Sequence, residues 1–216
     1  VKQLTEESVK LETEIEEIKA HRIFENAFEW RFEFPEVLND DGDFVGFDAI
    51  IGNPPYISYY SRESVSIENN FEDYLSTHFE FLDGYSKKVR KNSVMFFLEL
   101  GMKLLNKYST LIYLCDLNLL EKPSVPIRQY LNINYNLVEV ISNLNVFENV
   151  ASGQVIVAVE NNKLDENHFR YKSNSFTEFI DVDQSLICSP DYSFIPAFDN
   201  SILVKIENSN TLLKDV

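Results

Sequence analysis

Apolar and polar positions alternate along this chain in several distinct rhythms. Leu4, Leu11, Ile15, Ile18 and Arg22 share one stripe with glutamates opposite, which predicts an amphipathic helix from about Thr5 to about His21. Its apolar repeat is not sustained over heptads, so docking on a neighbouring domain is favoured over a coiled-coil stem. Glu29 to Pro35 alternates aromatic and charged residues as a half-buried strand does, and Asp40-Asp41-Gly42-Asp43 supplies a turn. Phe47 to Ile51 is apolar except for Asp48, the pattern of a strand buried on both faces of a parallel sheet.

Ser93 to Lys107 carries the clearest helical period, with Val94, Phe97, Leu98, Gly101, Leu104 and Leu105 facing inward. Thr110 to Leu114 then reads as a buried strand, and Pro123 to Tyr130 opens another helix with Pro126 in its tolerant first turn. Leu137 to Ile141 and Gln154 to Glu160 are β-branched strands, and Phe169 to Ile195 holds short strands leading away from the domain. A last helix is expected over Ile202 to Leu213, while the polar, tyrosine-rich stretch Ile57 to Lys91 gives no firm pattern. One boundary falls near Asn161 to Asn167. The predicted division is therefore 1–24 as N-terminal helix, 25–162 as an α/β domain, and 163–216 as a following segment.

The net charge of −16, from 19 basic and 35 acidic residues, argues against this chain gripping a phosphate backbone by itself, because that affinity comes from Lys and Arg. The acid is concentrated in the N-terminal glutamates and in Asp40, Asp41 and Asp43, where solvated surface explains it. No apolar run is long enough to span a bilayer and none has the flanks of a signal peptide, so a soluble intracellular protein is expected. Cys115 and Cys188 are isolated thiols, and His21, His78 and His168 have no ligand spacing, so neither a disulfide nor a metal is expected.

The most specific chemistry is Asn53-Pro54-Pro55-Tyr56 at the end of the apolar run. The exocyclic nitrogen of adenine is a poor nucleophile because its lone pair is delocalised into the ring. Two fixed oxygen acceptors, the Asn53 amide and the Pro54 carbonyl, can take its hydrogens and enrich it in electrons without removing a proton outright. The consecutive prolines restrict the backbone that aims those oxygens. Tyr56 offers a face for an unstacked base, a contact of about 1 to 3 kcal/mol. As a bland alternative, Asn and Pro also end strands in ordinary turns.

That motif in its context Phe47 to Ile57 resembles the amino-group DNA methyltransferases of restriction and modification systems, specifically N6-adenine enzymes of the gamma arrangement, including fused type IIG enzymes. Trp30 to Val37, Phe96 to Leu105, Val146-Phe147-Glu148-Asn149 and Gly153 to Val157 extend the resemblance over roughly residues 25 to 160. It implies a partial Rossmann-like S-adenosylmethionine-dependent methyltransferase fold, with a mainly parallel sheet and an antiparallel hairpin at one edge. It implies that Asn53, Pro54, Pro55 and Tyr56 form the catalytic corner, that Tyr56 and Phe147 stack on a flipped adenine, and that Phe97 lies near S-adenosylmethionine. Asn92 stands where the family carries an acidic residue, five positions before that phenylalanine.

The family's glycine-rich cofactor loop precedes its Asn-Pro-Pro-Tyr strand, and nothing before Phe47 resembles one. The resemblance therefore covers the second half of a catalytic domain, and the chain alone is expected to be inactive. The remainder, 163–216, would lead into a target-recognition domain, with double-stranded DNA held through a domain not included. In the family the motif strand lies in mid-sheet, so its open edge is expected to be covered by the N-terminal helix, an upstream segment or a second chain. A prokaryotic cytoplasmic setting and no membrane partner go with this reading.

Two other functions compete. The chain could be a non-catalytic binding or assembly module, or it could methylate a protein amide such as glutamine, since the motif can cradle any planar amino group. Phe147 and Phe97 taken alone read as core, and Tyr59 and Tyr60 as surface. Glu99 and Asp116 read as structural, because direct methyl transfer needs no carboxylate nucleophile. Cys115 lacks a preceding proline and speaks against a thiolate mechanism.

Overall fold

A computed structural model describes residues 11, 33–58, 74–75, 77–85, 90–147, 153–174 and 177–196. The helices expected over Thr5 to His21 and Ile202 to Leu213, together with Tyr59, Tyr60, Glu148 and Asn149, lie outside the described residues apart from Leu11, which is helical and exposed. The chain divides into two compact units, Val1–Phe44 and Val45–Val216.

In the first unit, Glu33 is helical and Pro35–Val37 forms a 3-10 turn, so the strand expected to end at Pro35 is not formed there. A proline at the start of a turn fixes φ and offers no N–H to a ladder, which explains the change. The Asp40 to Asp43 turn is present. Asn39 organises it, its Oδ1 accepting from Asp41 N at 3.1 Å and Asp43 N at 2.8 Å. Gly42 supplies the left-handed residue at φ +81°.

The second unit is built on a six-stranded sheet in the order β1-β2-β4-β3-β5-β6. The strands are β1 (Phe47–Gly52), β2 (Leu105–Asp116), β3 (Asn136–Leu144), β4 (Gln154–Glu160), β5 (His168–Ser173) and β6 (Ile180–Asp183). β1, β2, β3 and β5 run in one direction, and β4 and β6 are reversed. The α/β class holds, and the β5–β6 hairpin closes one edge.

Helix α1 (Ser93–Leu104) packs on β2, and helix α2 (Val125–Asn134) packs on β3 and α1. Asn92 caps α1 by accepting from Met95 N at 3.2 Å. The helix stops at Leu104, where the chain turns directly into β2, so β2 is much longer than the Thr110 to Leu114 core seen in the sequence pattern. Gly101 lets α1 approach the sheet closely, since a Cβ there would meet Leu111 Cδ1 at 2.3 Å.

Two expectations about burial change. Phe97 is 39 % exposed and Phe96, at 7 %, takes the inward place against Phe81, with ring centroids 5.3 Å apart. Two adjacent phenylalanines point about 100° apart on a helix, and only packing decides which turns in. β1 is the outermost strand of the sheet, not one buried on both faces, and Ile51 is 77 % exposed. Among the described residues no strand pairs with its outer edge, and Ile50 packs against the core while Ile51 faces the other way.

The strands expected to lead away after Asn161 instead continue the same sheet, β5 pairing parallel to β3. Asn161 is a tie between segments, its Nδ2 donating to Leu105 O at 2.9 Å and Asn106 O at 3.2 Å. Gln184 adds another, accepting from Leu137 N at 2.8 Å and donating to Tyr135 O at 2.9 Å. Polar side chains satisfying loop carbonyls and amides in this way hold the edge strands to the centre.

Candidate functional site

Because β1, β2 and β3 run parallel, their carboxyl ends open on the same edge of the sheet, the usual place for a site in an open α/β sheet. Asn53-Pro54-Pro55-Tyr56 leaves β1 there. Asn53 and Pro55 are exposed, Pro54 is buried and Tyr56 is half-buried, so the corner is open to a visiting group and anchored beneath.

Tyr56 is the anchor closest to the amide. Its hydroxyl donates to Asn53 Oδ1 at 2.7 Å and lies 3.3 Å from Leu114 O near the end of β2. An amide oxygen has two acceptor positions, so Asn53 Oδ1 keeps one for another donor while Tyr56 fixes how the amide is turned. Burial, with Cys115 and Asp116 nearby adding to it, raises the Tyr56 pKa above its ordinary value. The hydroxyl therefore remains a donor through neutral and mildly alkaline pH.

Ser93, 1 % exposed at the start of α1, holds the other side of the corner. Its N–H donates to Ile57 O at 2.9 Å, its Oγ accepts from Ile57 N at 2.9 Å, and the same Oγ donates to Pro55 O. Ser58 and Asn92 add a short antiparallel bridge.

A cavity of about 190 Å³ opens between these pieces, lined by Tyr56 and Ser58, by Arg90 to Asn92 ahead of α1, and by Asp116, Asn118 and Glu121 beyond β2. Asp116 is nearly buried and accepts from Asn118 N at 2.7 Å, which starts the 3-10 turn Leu117–Leu120. The wall thus combines polar side chains of both charge signs with the apolar Val94, Met95 and Pro123. Arg128, 2 % exposed, supports it from behind by donating to Leu119 O at 2.6 Å and Glu121 O at 2.7 Å. Burial lowers its pKa to about 10, and four carbonyl acceptors hold the guanidinium charged at neutral pH.

Phe147 follows β3 and is 40 % exposed. It is tied to the same edge, because Val146 N donates to Gln154 Oε1 at 2.9 Å and Gln154 pairs with Asp116 across β4 and β2. Phe97 is exposed on α1 and is not among the residues lining the cavity. Glu99 serves the fold: wholly buried, it accepts from Glu80 N and Phe81 N, both at 2.9 Å, and pairs with Lys103 at 2.6 Å. The Cys115 thiol is buried, and desolvation pushes its pKa up, away from any thiolate chemistry.

Of the cavity wall, Tyr56, Asn92 and Asp116 stand out in the sequence, whereas Ser58, Arg90, Lys91, Asn118, Glu121 and the neighbouring Ser93 do not. Asn92-Ser93 carried a readable signal as a helix cap, whereas their proximity to Pro55 needs the fold. Among the described residues, no group of three or more His, Cys, Asp or Glu side chains could hold a metal ion, and no helix is long and apolar enough to cross a membrane.

The family model for the Eco57I restriction-modification methylase matches residues 2–147 of the 216. A class I S-adenosylmethionine-dependent methyltransferase from Listeria monocytogenes is similar at 16 % identity and TM-score 0.43, covering 76 % of this chain and 42 % of its own. The type I restriction-modification methyltransferase subunit from Streptococcus thermophilus is similar at 16 % identity and TM-score 0.43, covering 78 % of this chain and 33 % of its own. A modification subunit of a type I restriction enzyme from Vibrio vulnificus gives 13 % identity and TM-score 0.42, with 81 % and 33 % covered. The chain spans less than half the length of each of these structures. A comparison with curated proteins returns no match.

Proposed function

We start from the fact that the chain belongs to the Eco57I restriction-modification methylase family, and we propose that it supplies the target-base corner of a DNA methyltransferase acting on N6 of adenine. The observation that carries this reading is the exposed Asn53 amide, oriented by Tyr56, at the carboxyl edge of the sheet.

An adenine swung out of the duplex presents its amino group in the plane of its ring. Asn53 Oδ1 and the Pro54 carbonyl accept the two N6 hydrogens. That would raise electron density on the nitrogen, and the interaction would strengthen as positive charge develops there while the methyl carbon exchanges its bond to the donor's leaving group for the bond to N6; the surplus N6 proton is then released to water. Tyr56 holds the Asn53 amide in the accepting orientation and presents its ring to the base, and Phe147 packs against the base from the β3 side. No side chain has to remove a proton before the nitrogen attacks, and no nucleophilic residue is needed.

The donor implied by the family resemblance is S-adenosylmethionine. The described residues do not fit a complete site for it. The Cβ direction of Gly46 is filled by the backbone of Leu105 and Asn106, Gly42 lies in a solvent turn, and Phe97 offers a single exposed ring. The residues of this chain are assigned to the acceptor side of the reaction. The net charge of −16 argues against this chain gripping the DNA backbone by itself.

The test uses the complete methyltransferase that carries this chain. DNA methylated by it and digested to nucleosides should contain N6-methyladenine by mass spectrometry, and Asn53→Ala should reduce its formation by about 10²-fold or more, the usual worth of a charge-stabilising acceptor or donor. Methylcytosine as the product, or full activity in Asn53→Ala, would refute the reading. DNA binding without any methylation would favour a non-catalytic module.

A further inference from the structure

We propose that Ser93 is a positioning residue for methyl transfer, a clamp that fixes the backbone on both sides of Tyr56 and so holds the Asn53-Pro54-Pro55-Tyr56 corner aimed at the target base. The inference rests on the target-base reading of that corner.

The prolines create the need for such a clamp. Pro54 and Pro55 have no N–H, so two successive residues of the corner cannot be tied down through backbone donors. The corner also follows an edge strand, and its ladder to β2 ends at the Gly52–Tyr113 pair. Rigidity beyond that point has to come from side chains.

Ser93 provides it with its hydroxyl and its backbone N–H. The hydroxyl donates to Pro55 O and accepts from Ile57 N at 2.9 Å, and the backbone N–H donates to Ile57 O at 2.9 Å. The bonds fall on residues 55 and 57, one to each side of Tyr56. Their common origin is the first turn of α1, which is capped by Asn92 and packed on β2. The clamp therefore refers the corner to a capped helix packed on the central sheet. Tyr56 in turn is bonded to Asn53, so a displacement at residues 55 to 57 passes directly to the amide.

Two features separate this from ordinary loop support. Ser93 is 1 % exposed, whereas Ile57 is 54 % exposed and contributes little packing of its own, so hydrogen bonds carry the attachment. A serine hydroxyl is also the smallest side chain that can donate and accept at one atom, which bridging a carbonyl and an amide two residues apart requires. Alanine would leave Ile57 N and Pro55 O without their shared partner.

The experiment compares wild type, Ser93→Ala and Ser93→Thr in the complete methyltransferase, reading kcat and KM on duplex DNA together with amide hydrogen exchange at Ile57. Ser93→Ala should lower kcat about tenfold to a hundredfold, the effect of a small misplacement of a positioned group, with KM for DNA within about threefold. Ile57 exchange should quicken about tenfold. Ser93→Thr keeps the hydroxyl and should recover most of kcat; if its extra methyl prevents folding, the Ser93→Ala readings decide.

Unchanged kcat in a folded Ser93→Ala protein overturns the proposal, whether or not exchange quickens, because the hydroxyl then serves the loop alone. Unchanged exchange at Ile57 overturns it as well. An inactive wild type would refute the methyltransferase reading instead, and the exchange measurement would still show whether the clamp exists.

Discussion

The middle of the sheet and the corner beyond β1 are held together by opposite means. β2 and β4 pair in unbroken antiparallel register from Thr110 opposite Glu160 to Asp116 opposite Gln154, and Leu111, Cys115, Val155, Val157 and Val159 are wholly buried. At the corner, Asn53 and Pro55 are exposed, and the chain is fixed by Tyr56 reaching Asn53 and by Ser93 reaching Pro55 and Ile57. Apolar packing tolerates no visitor, whereas a hydrogen-bonded corner can present oxygens to a ligand and still keep its shape. The division lets the centre carry stability and the corner carry chemistry.

The largest effect that tests this division lies in the centre. Leu111→Ala should cost about 2 to 5 kcal/mol of stability, measured by denaturant unfolding of the chain, because a wholly buried side chain is lost and the tight helix-sheet contact leaves little room to relax. Asn53→Ala, at an exposed position, should change stability by no more than about 0.5 kcal/mol while removing activity. A comparable loss of stability in both variants would break the comparison, since the corner would then be part of the packed structure.

Gly101→Ala probes the junction of the two regions. An added Cβ would lie 2.3 Å from Leu111 Cδ1 and 2.9 Å from Tyr113 Oη, so these side-chain ends must turn aside within the packed contact or α1 must move away from β2, at a cost of about 1 to 3 kcal/mol. Since α1 also starts with Ser93, a movement of the helix should lower kcat beyond what the stability loss explains. A destabilised variant with unaltered kcat would show that the corner does not take its alignment from the helix.

The sheet centre was largely legible in the sequence, and the corner only in part. Gln154 to Glu160 forms a strand over the range its β-branched run suggested, because a strand buried between two neighbours needs little beyond apolar side chains. The same logic misled at Phe47 to Ile51, where an apolar run belongs to the outermost described strand. Periodicity reports which residues avoid water but not what covers them. It likewise could not decide between Phe96 and Phe97, and polar β5 and β6 gave no sign that they would join the sheet.

Asn-Pro-Pro-Tyr marks the proposed site through its chemistry, yet the Ser93 contacts that clamp it join residues 36 and 38 positions apart, beyond the reach of local pattern. Serine is common at helix starts, so nothing in Asn92-Ser93 distinguished a clamp from a cap. Arg128 is similar: an arginine on an amphipathic helix reads as surface, but here it is buried on four carbonyls, including those of Asp191 and Tyr192.

The smallest effect sharpens the comparison most. Tyr56→Phe keeps the ring proposed to meet the base and removes only the hydroxyl that orients Asn53, so kcat should fall about tenfold or less, the worth of one neutral hydrogen bond, with KM for DNA little changed. The pH dependence separates this role from one in proton transfer. Burial, then Cys115 and Asp116, raises the Tyr56 pKa above its ordinary value near 10, so the folded protein favours the neutral phenol. The hydrogen bond and its share of stability are therefore constant below about pH 10 and decline only above it. Wild type and Tyr56→Phe should differ by the same factor from pH 6 to about pH 9. A ratio that changes across that range would mean that the hydroxyl titrates or moves a proton during the reaction, and the corner would then hold an acid or base in addition to its aimed acceptors.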